Sequence, residues 1–190
     1  MTTSDSKQAL TITKPAFLVN GSDAEFRILI NRLLYFSARL LTVRDGFGAI
    51  IGLSGIQYSI LMSIKALSSQ GEVTVNQLAE HLHFSGSFVT METGKLRTRN
   101  LITKKRHDLD RRKIVLDITE AGKKLLSDLT GTQQAINDIL FENLNTQQAK
   151  MLYNVLGQLV SNCDAATLEL SHLVSRLNIQ QGSSTRSGAV

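Results

Sequence analysis

The chain has 190 residues, of which 42% are hydrophobic and 19% charged, an ordinary globular composition with room for one or two domains. The absence of Trp, the single Pro and the single Cys exclude collagen-like and Pro-rich architectures, a disulfide framework and a multi-Cys zinc finger. The formal charge is +5, and no apolar run approaches the ~20 residues of a membrane span or forms a signal-peptide h-region; a cytoplasmic protein with no membrane partner is expected.

Residues 1–22 are rich in Ser, Thr and Lys and read as a flexible or loosely packed arm. Asp23 to Ile51 reads as one long helix ended by Gly52. Phe26, Leu29, Leu33, Phe36, Leu40, Val43, Phe47 and Ile50 alternate gaps of three and four, which makes one continuous apolar seam. A second helix opens at Ser54, where S-x-x-Q with Gln57 is a capping box; Thr74 with Gln77 repeats the device for a short helix reaching His83. Ser85 caps a further helix to Arg99, with Phe84 and Val89 placed as a hydrophobic staple, and Asn100 sits where a left-handed C-terminal residue is wanted. Leu101 to Arg106 and Lys113 to Ile118 read as two strands joined by the polar turn HDLDRR. Thr119 caps a helix to about Leu144 with a stripe at Leu125, Leu129, Ile136 and Ile139/Leu140. Asn145 or Thr146 caps the last, whose seam is Leu152, Leu156, Leu159, Cys163, Ala166, Leu170, Leu173 and Leu177. Residues 179–190 read as a flexible tail.

This order predicts a mainly α fold. Residues 54–118 form a winged helix-turn-helix with a small β-hairpin wing. Residues 23–53 and 119–178 are long N- and C-terminal helices with more apolar seam than so small a core would bury. A lone helix with such a seam is unstable in water, and a C2 homodimer is the economical partner.

Charge is concentrated in one segment. From Lys95 to Lys113 nine cations stand against two anions, a local +7, while the remaining residues are close to neutral. Such a cluster suits a polyanion, because each neutralised phosphate releases counterions; the alternative is a solvated basic face. On the helix from Ser85 to Arg99, Val89 and Leu96 point inward with Phe88 beside them. Ser87, Thr90, Met91 and Gly94 fall on the opposite face, where hydroxyls reach bases or phosphates and Met can touch a thymine methyl. Lys95, Arg97 and Arg99 close the helix; Lys95 and Arg97 are expected DNA contacts, and all three also suit its C-terminal dipole. The turn Asp108 to Lys113 places Arg111, Arg112 and Lys113 on a projecting hairpin, which suits the negative potential of a narrow minor groove; the alternative is a solvated turn with local ion pairs.

With these elements in place the chain resembles the MarR family of transcription regulators. The string DRRKIVLDITEAG, Asp110 to Gly122, is similar to the family's wing signature; Thr74 to Ala79 and Ser85 to Thr90 resemble its helix-turn-helix. The likeness runs from about residue 23 to 175. It implies a homodimer on a pseudo-palindromic double-stranded DNA operator. It further implies Arg112 in the minor groove, Asp110 as its orienting carboxylate, Arg111 near phosphates, and Ser85, Ser87, Thr90 and Met91 on the major-groove face. Two positions depart from the family pattern: Asn100 stands in place of a Gly, and Gly94 in place of a charged or polar residue.

The resemblance also implies release by a small aromatic anion. Tyr35, Arg39, Phe47, Gln57 and Tyr58 offer apolar walls, a guanidinium and polar groups suited to an aromatic carboxylate; the alternative is an inter-helix salt bridge at Arg39 and core tyrosines. Redox sensing would need an exposed thiolate with cations nearby, whereas Cys163 lies on the seam beside Asp164 and reads as packing. His81 and His83 diverge by about 200° on one helix and cannot chelate together, and His107 and His172 are isolated, so no metal or other cofactor is expected. No nucleophile–base pair, phosphate loop or metalloprotease motif points to an enzyme. A helical interaction module whose basic hairpin binds an acidic protein is the competing reading.

Overall fold

The computed structural model describes residues 9–106 and 110–184. The chain divides into two compact units, one through Ala135 and one from Ile136 onward. In chain order the elements are a 3-10 turn Pro15–Phe17, α1 Ala24–Ile50, α2 Gly55–Ser68, β1 Val73–Thr74, α3 Val75–Leu82, α4 Gly86–Thr98, β2 Ile102–Arg106, β3 Ile114–Ile118, α5 Glu120–Leu140 and α6 Thr146–Ser184. This is the winged helix-turn-helix with long flanking helices that the sequence predicts, most elements falling within a few residues of their expected spans.

Local chemistry fixes most boundaries. Ser54 Oγ accepts from the Gln57 amide while the Gln57 side chain accepts from the Ser54 amide, and Thr74 with Gln77 does the same, so both capping boxes form. Ser85 Oγ accepts from Phe88 N. Asn100 adopts φ +56, and Leu101 N donates to Leu96 O, closing α4 with a left-handed residue. Thr119 Oγ1 accepts from Gly122 N at the start of α5, and Asn145 with Gln148 forms a reciprocal box at the start of α6.

The first unit is built around α2. Ile60, Leu61 and Ile64 are fully buried, together with Leu78 of α3, Val89 and Leu96 of α4, and Ile102 and Leu116 of the sheet; Leu126 and Leu129 of α5 close the core. The sheet has three antiparallel strands in the order β1-β3-β2. Val73 pairs with Leu116, and Ile102 to Arg106 pair with Ile118 to Ile114. α1 and α2 meet at 90°, and among the described residues no single helix is long and apolar enough to cross a membrane. The corner between them is tight: a Cβ on Gly48 would lie 2.9 Å from the Leu53 and Ser54 backbone, Gly52 sits at φ +68, and a Cβ on Gly55 would collide with the Asp45 carboxylate.

Several expectations are corrected. Residues 9–22 are not a free arm: Asp23 accepts from the amide and hydroxyl of Thr11 at 2.7 and 2.6 Å, Arg27 donates to Ala9 O, and Phe17 packs edge-on against Phe26. A third strand, β1, completes the sheet. Phe84 packs against the core that holds Val89 and also meets the ring of Phe88 at 5.2 Å. In α5 it is Leu126, not Leu125, that is fully in the core, and the helix ends at Leu140. α6 continues to Ser184, into the expected tail, and Cys163 on it is exposed within the single chain, as is the rest of the α6 seam.

Candidate nucleic-acid interface

α4 is the second helix of the turn motif and divides sharply into two faces. Val89, Glu92, Thr93 and Leu96 are buried, while Ser87, Thr90, Met91, Lys95, Arg97 and Thr98 are exposed. The outward residues are therefore those the sequence nominates for the major-groove face. Their hydroxyls have local partners: Ser85 Oγ and Ser87 Oγ lie 3.1 Å apart, and Thr90 Oγ1 donates to Gly86 O at 2.7 Å. Such bonds hold the rotamers while leaving the oxygen lone pairs able to accept. Met91 is half exposed.

Between α4 and the hairpin lies a cleft of about 500 Å³ lined by Thr74, Asn76, Thr90, Arg97, Lys104, Arg106, Arg112 and Lys113 among others. Five of its lining residues are cationic and none is acidic. Lys104 Nζ donates to Thr90 O at 3.1 Å, and burial together with the nearby Arg97 guanidinium pushes its ammonium below the usual lysine range. Crowded like charges in a concave site are stabilised by an incoming anion, and phosphate oxygens supply one at every backbone step.

The hairpin supports this arrangement by turn chemistry. Asp110 Oδ1 accepts from the Arg112 amide at 3.1 Å, Asp110 O accepts from Lys113 N at 2.9 Å, and Asp110 Oδ2 lies 3.9 Å from Lys113 Nζ. Asp110 thus shapes the backbone on which Arg112 and Lys113 stand. Arg111 is exposed. The first residues of the predicted tip, 107–109, lie outside the described residues.

The structure brings together Thr90, Arg97, Arg112 and Lys113, and adds Thr74, Asn76, Lys104 and Arg106, which motif reading does not select. Alternation along β2 could have found the last two. Lys95 is diverted: its ammonium lies 2.6 Å from the buried carboxylate of Glu92.

The residues proposed for a small ligand are not gathered. Tyr35 and Arg39 are exposed on α1, and Tyr35 stands twelve residues, about 18 Å of helix rise, from Phe47. Phe47 and Tyr58 are buried against each other with ring centroids 5.8 Å apart. Tyr58 Oη accepts from Gln133 at 2.6 Å, and burial raises its phenol above the usual range against that bond. Gln57 is held by its capping box and by Glu92, 3.1 Å away. Within one chain these five side chains do not line one cavity.

A family model described as MarR family matches residues 51–113, which run from the α1–α2 corner through β2 and stop just before β3. The organic hydroperoxide resistance transcriptional regulator of Bacillus subtilis (strain 168) is 27% identical over 130 residues, 67% of this chain and 86% of the relative. The fold is similar to that of the transcriptional regulator BldR from Sulfolobus solfataricus, with a TM-score of 0.62, 20% identity and coverage of 73% of this chain and 96% of that one. It is also similar to a mutant MarR from E. coli complexed with operator DNA, at a TM-score of 0.58 and 17% identity, covering 73% and 99% of the two chains. The Bacillus and Sulfolobus relatives are transcriptional regulators.

Proposed function

We propose, for a chain that belongs to the MarR family of transcriptional regulators and binds DNA, that it is a cytoplasmic repressor acting as a homodimer on a pseudo-palindromic operator. Residues 23–53 and 119–178 are its dimerisation helices. The outer face of α4 (Ser85, Ser87, Thr90, Met91 and Arg97) reads the major groove, Arg112 enters the adjacent minor groove, and Arg111 and Lys113 hold phosphates. The observation that carries this reading is the acid-free cleft lined by Arg97, Lys104, Arg106, Arg112 and Lys113.

A binding selection from random duplexes, followed by titration of the enriched site, tests it. Arg112→Ala is expected to weaken binding by about tenfold and to relax preference at one base step. Enrichment of no duplex, or tight binding to an acidic protein at the same face, would replace this reading with that of a basic interaction module.

The effector is a small aromatic anion. Its support is the setting of Arg39, an exposed cation flanked on α1 by exposed Tyr35, Phe36 and Leu40. Such a ligand releases DNA only by binding one lobe arrangement better than the other. Benzoate and its hydroxylated forms should lower DNA affinity in the wild type and not in Arg39→Ala. Indifference to all of them removes the effector and leaves the DNA reading standing. The B. subtilis relative's name raises hydroperoxides instead, but the single thiol, Cys163, has no Lys or Arg within a turn of it along the chain.

A further inference from the structure

We propose that Glu92 and Arg99 are positioning residues for DNA recognition, fastening α4 to the α1–α2 corner at two points and so setting the angle at which its outer face meets the groove. The inference rests on the DNA-binding reading above.

Apolar packing alone would leave that angle loose. Val89 and Leu96 hold α4 on the core by contacts that have no direction. Two directional attachments lie on the same stripe. Glu92 is buried, and its Oε2 accepts from Gln57 Nε2 at 3.1 Å. Gln57 is itself fixed, because its amide and side chain close the capping box on Ser54 at the head of α2. Seven residues on, Arg99 Nη1 donates to Gly52 O at 2.6 Å, and its Nη2 lies 3.6 Å from where a Cβ of Gly52 would stand, so the guanidinium rests across the corner.

Residues 92 and 99 are two turns apart, about 10 Å along the axis, and share the face of Val89 and Leu96. Ser87, Thr90, Met91, Gly94 and Arg97 occupy the other face. Two bonds at this separation fix both the rotation of the helix about its axis and its tilt. Their anchor is stiff, since Gly48 and Gly55 let the backbone of the corner close to contact. The orientation of α4 is thereby referred to α1.

A buried carboxylate is an uneconomical way merely to fill space. An apolar side chain of similar volume would avoid its desolvation. Hydrogen bonds from Lys95 at 2.6 Å and from Gln57 keep Glu92 charged, and its carboxyl lies below the usual glutamate range, the Lys95 bond being the largest cause. What the charge provides in return is direction.

The test uses the full chain, the duplex enriched by the wild type from a random library, and a scrambled duplex of equal length, titrated between 50 and 200 mM salt. Arg99→Gln and Glu92→Gln are each expected to lose about tenfold on the enriched duplex, to leave the scrambled duplex unchanged, and to keep the wild-type salt slope. Loss of equal size on both duplexes, with the slope of log affinity against log salt reduced by about 0.9, would make Arg99 a phosphate contact and overturn the proposal. Unchanged affinity for both duplexes in folded variants would overturn it as well. Far-UV circular dichroism reports folding; should Glu92→Gln unfold, the exposed Arg99 decides the matter, with Arg99→Lys expected to recover part of the loss. If the wild type enriches no duplex, the DNA reading falls and the clamp with it, a result distinct from enrichment with indifferent variants.

Discussion

In α2, Ile60, Leu61 and Ile64 are wholly enclosed, whereas in α6 no residue from Thr146 to Asn178 is buried and Leu156, Leu159, Leu170 and Leu173 stand 39 to 61% exposed. The two segments are similar in kind, helices with regular apolar spacing and reciprocal N-terminal boxes. They differ in what lies opposite. α2 is surrounded by α1, α3, α4 and two strands of its own chain. The seam of α6 continues for more than three heptads without a matching surface in its own unit, and α1 repeats the pattern at Leu29, Leu33, Phe36 and Leu40. An apolar period thus fixes a helix without fixing its partner. In the first unit the partner is the same chain; for α6 it is a second copy under the homodimer proposed above.

The largest effect is expected where that distinction is broken. Leu170→Asp places a charge on the α6 seam and should leave the lobe folded while halving the mass seen by sedimentation at micromolar protein. Because two linked lobes gain avidity, affinity for the enriched duplex should fall about a hundredfold or more. A variant that stays dimeric would move the interface elsewhere. Leu96→Ala makes the opposite cut. Leu96 is fully enclosed in the lobe, and its truncation should cost about 3 kcal/mol in denaturant unfolding, with association retained in the fraction that remains folded.

A smaller effect isolates the junction of reading helix and wing. Asn100 holds φ +56 between α4 and β2, and its carbonyl accepts from Thr119 Oγ1 at 2.7 Å. Asn100→Gly removes the steric cost of the left-handed region and should change stability by no more than about 0.5 kcal/mol. Asn100→Val is forced into a conformation β-branched residues resist and should lose about 1 to 2 kcal/mol. Equal melting of the two variants would show that the left-handed turn is not what holds the wing.

What is legible in the sequence is what short-range chemistry decides. Ser54/Gln57, Thr74/Gln77, Ser85 and Thr119 announce helix starts because the cap oxygen and the backbone N–H that donates to it are three residues apart, and Asn100 announces a stop because few residues tolerate positive φ. What is not legible depends on distant partners. β1 is two residues long, too short for any alternation, and exists only because Val73 meets Leu116 forty-three positions later. By sequence Arg99 groups with its neighbours as a cation for the helix dipole, whereas its partner is a carbonyl 47 residues away. Lys95 falls among the expected DNA contacts because its pairing with Glu92 follows from the burial of Glu92, which sequence does not state. Leu126 joins Leu129 inside the core while Leu125 packs at its edge, a division that apolar spacing alone does not make. Lys104 and Arg106 are visible as charge, but their entry into one cleft with Arg97 and Arg112 needs the hairpin register.

The smallest effect concerns residues 9–23, where a segment that reads as an arm behaves as a strap. Asp23 takes two bonds from Thr11 and an ion pair from Arg27 at 3.0 Å, and the Thr11 hydroxyl is the main reason its carboxyl lies well below the ordinary value of 3.8. A carboxylate with a depressed folded pKa contributes fully above the unfolded value and loses its contribution only as pH falls toward and through the folded one. The strap should therefore be indifferent to pH from neutrality down to about 3.8 and weaken only below it. The Thr11 amide resonance reports this directly. In the wild type it should keep its position between about pH 7 and pH 4, whereas Asp23→Asn should shift it at every pH by removing the anion that both Thr11 groups address. An inflection near 3.8 in the wild type would mean that Thr11 does not hold the carboxylate. The strap would then be no more committed to the fold than the α6 seam is within its own chain.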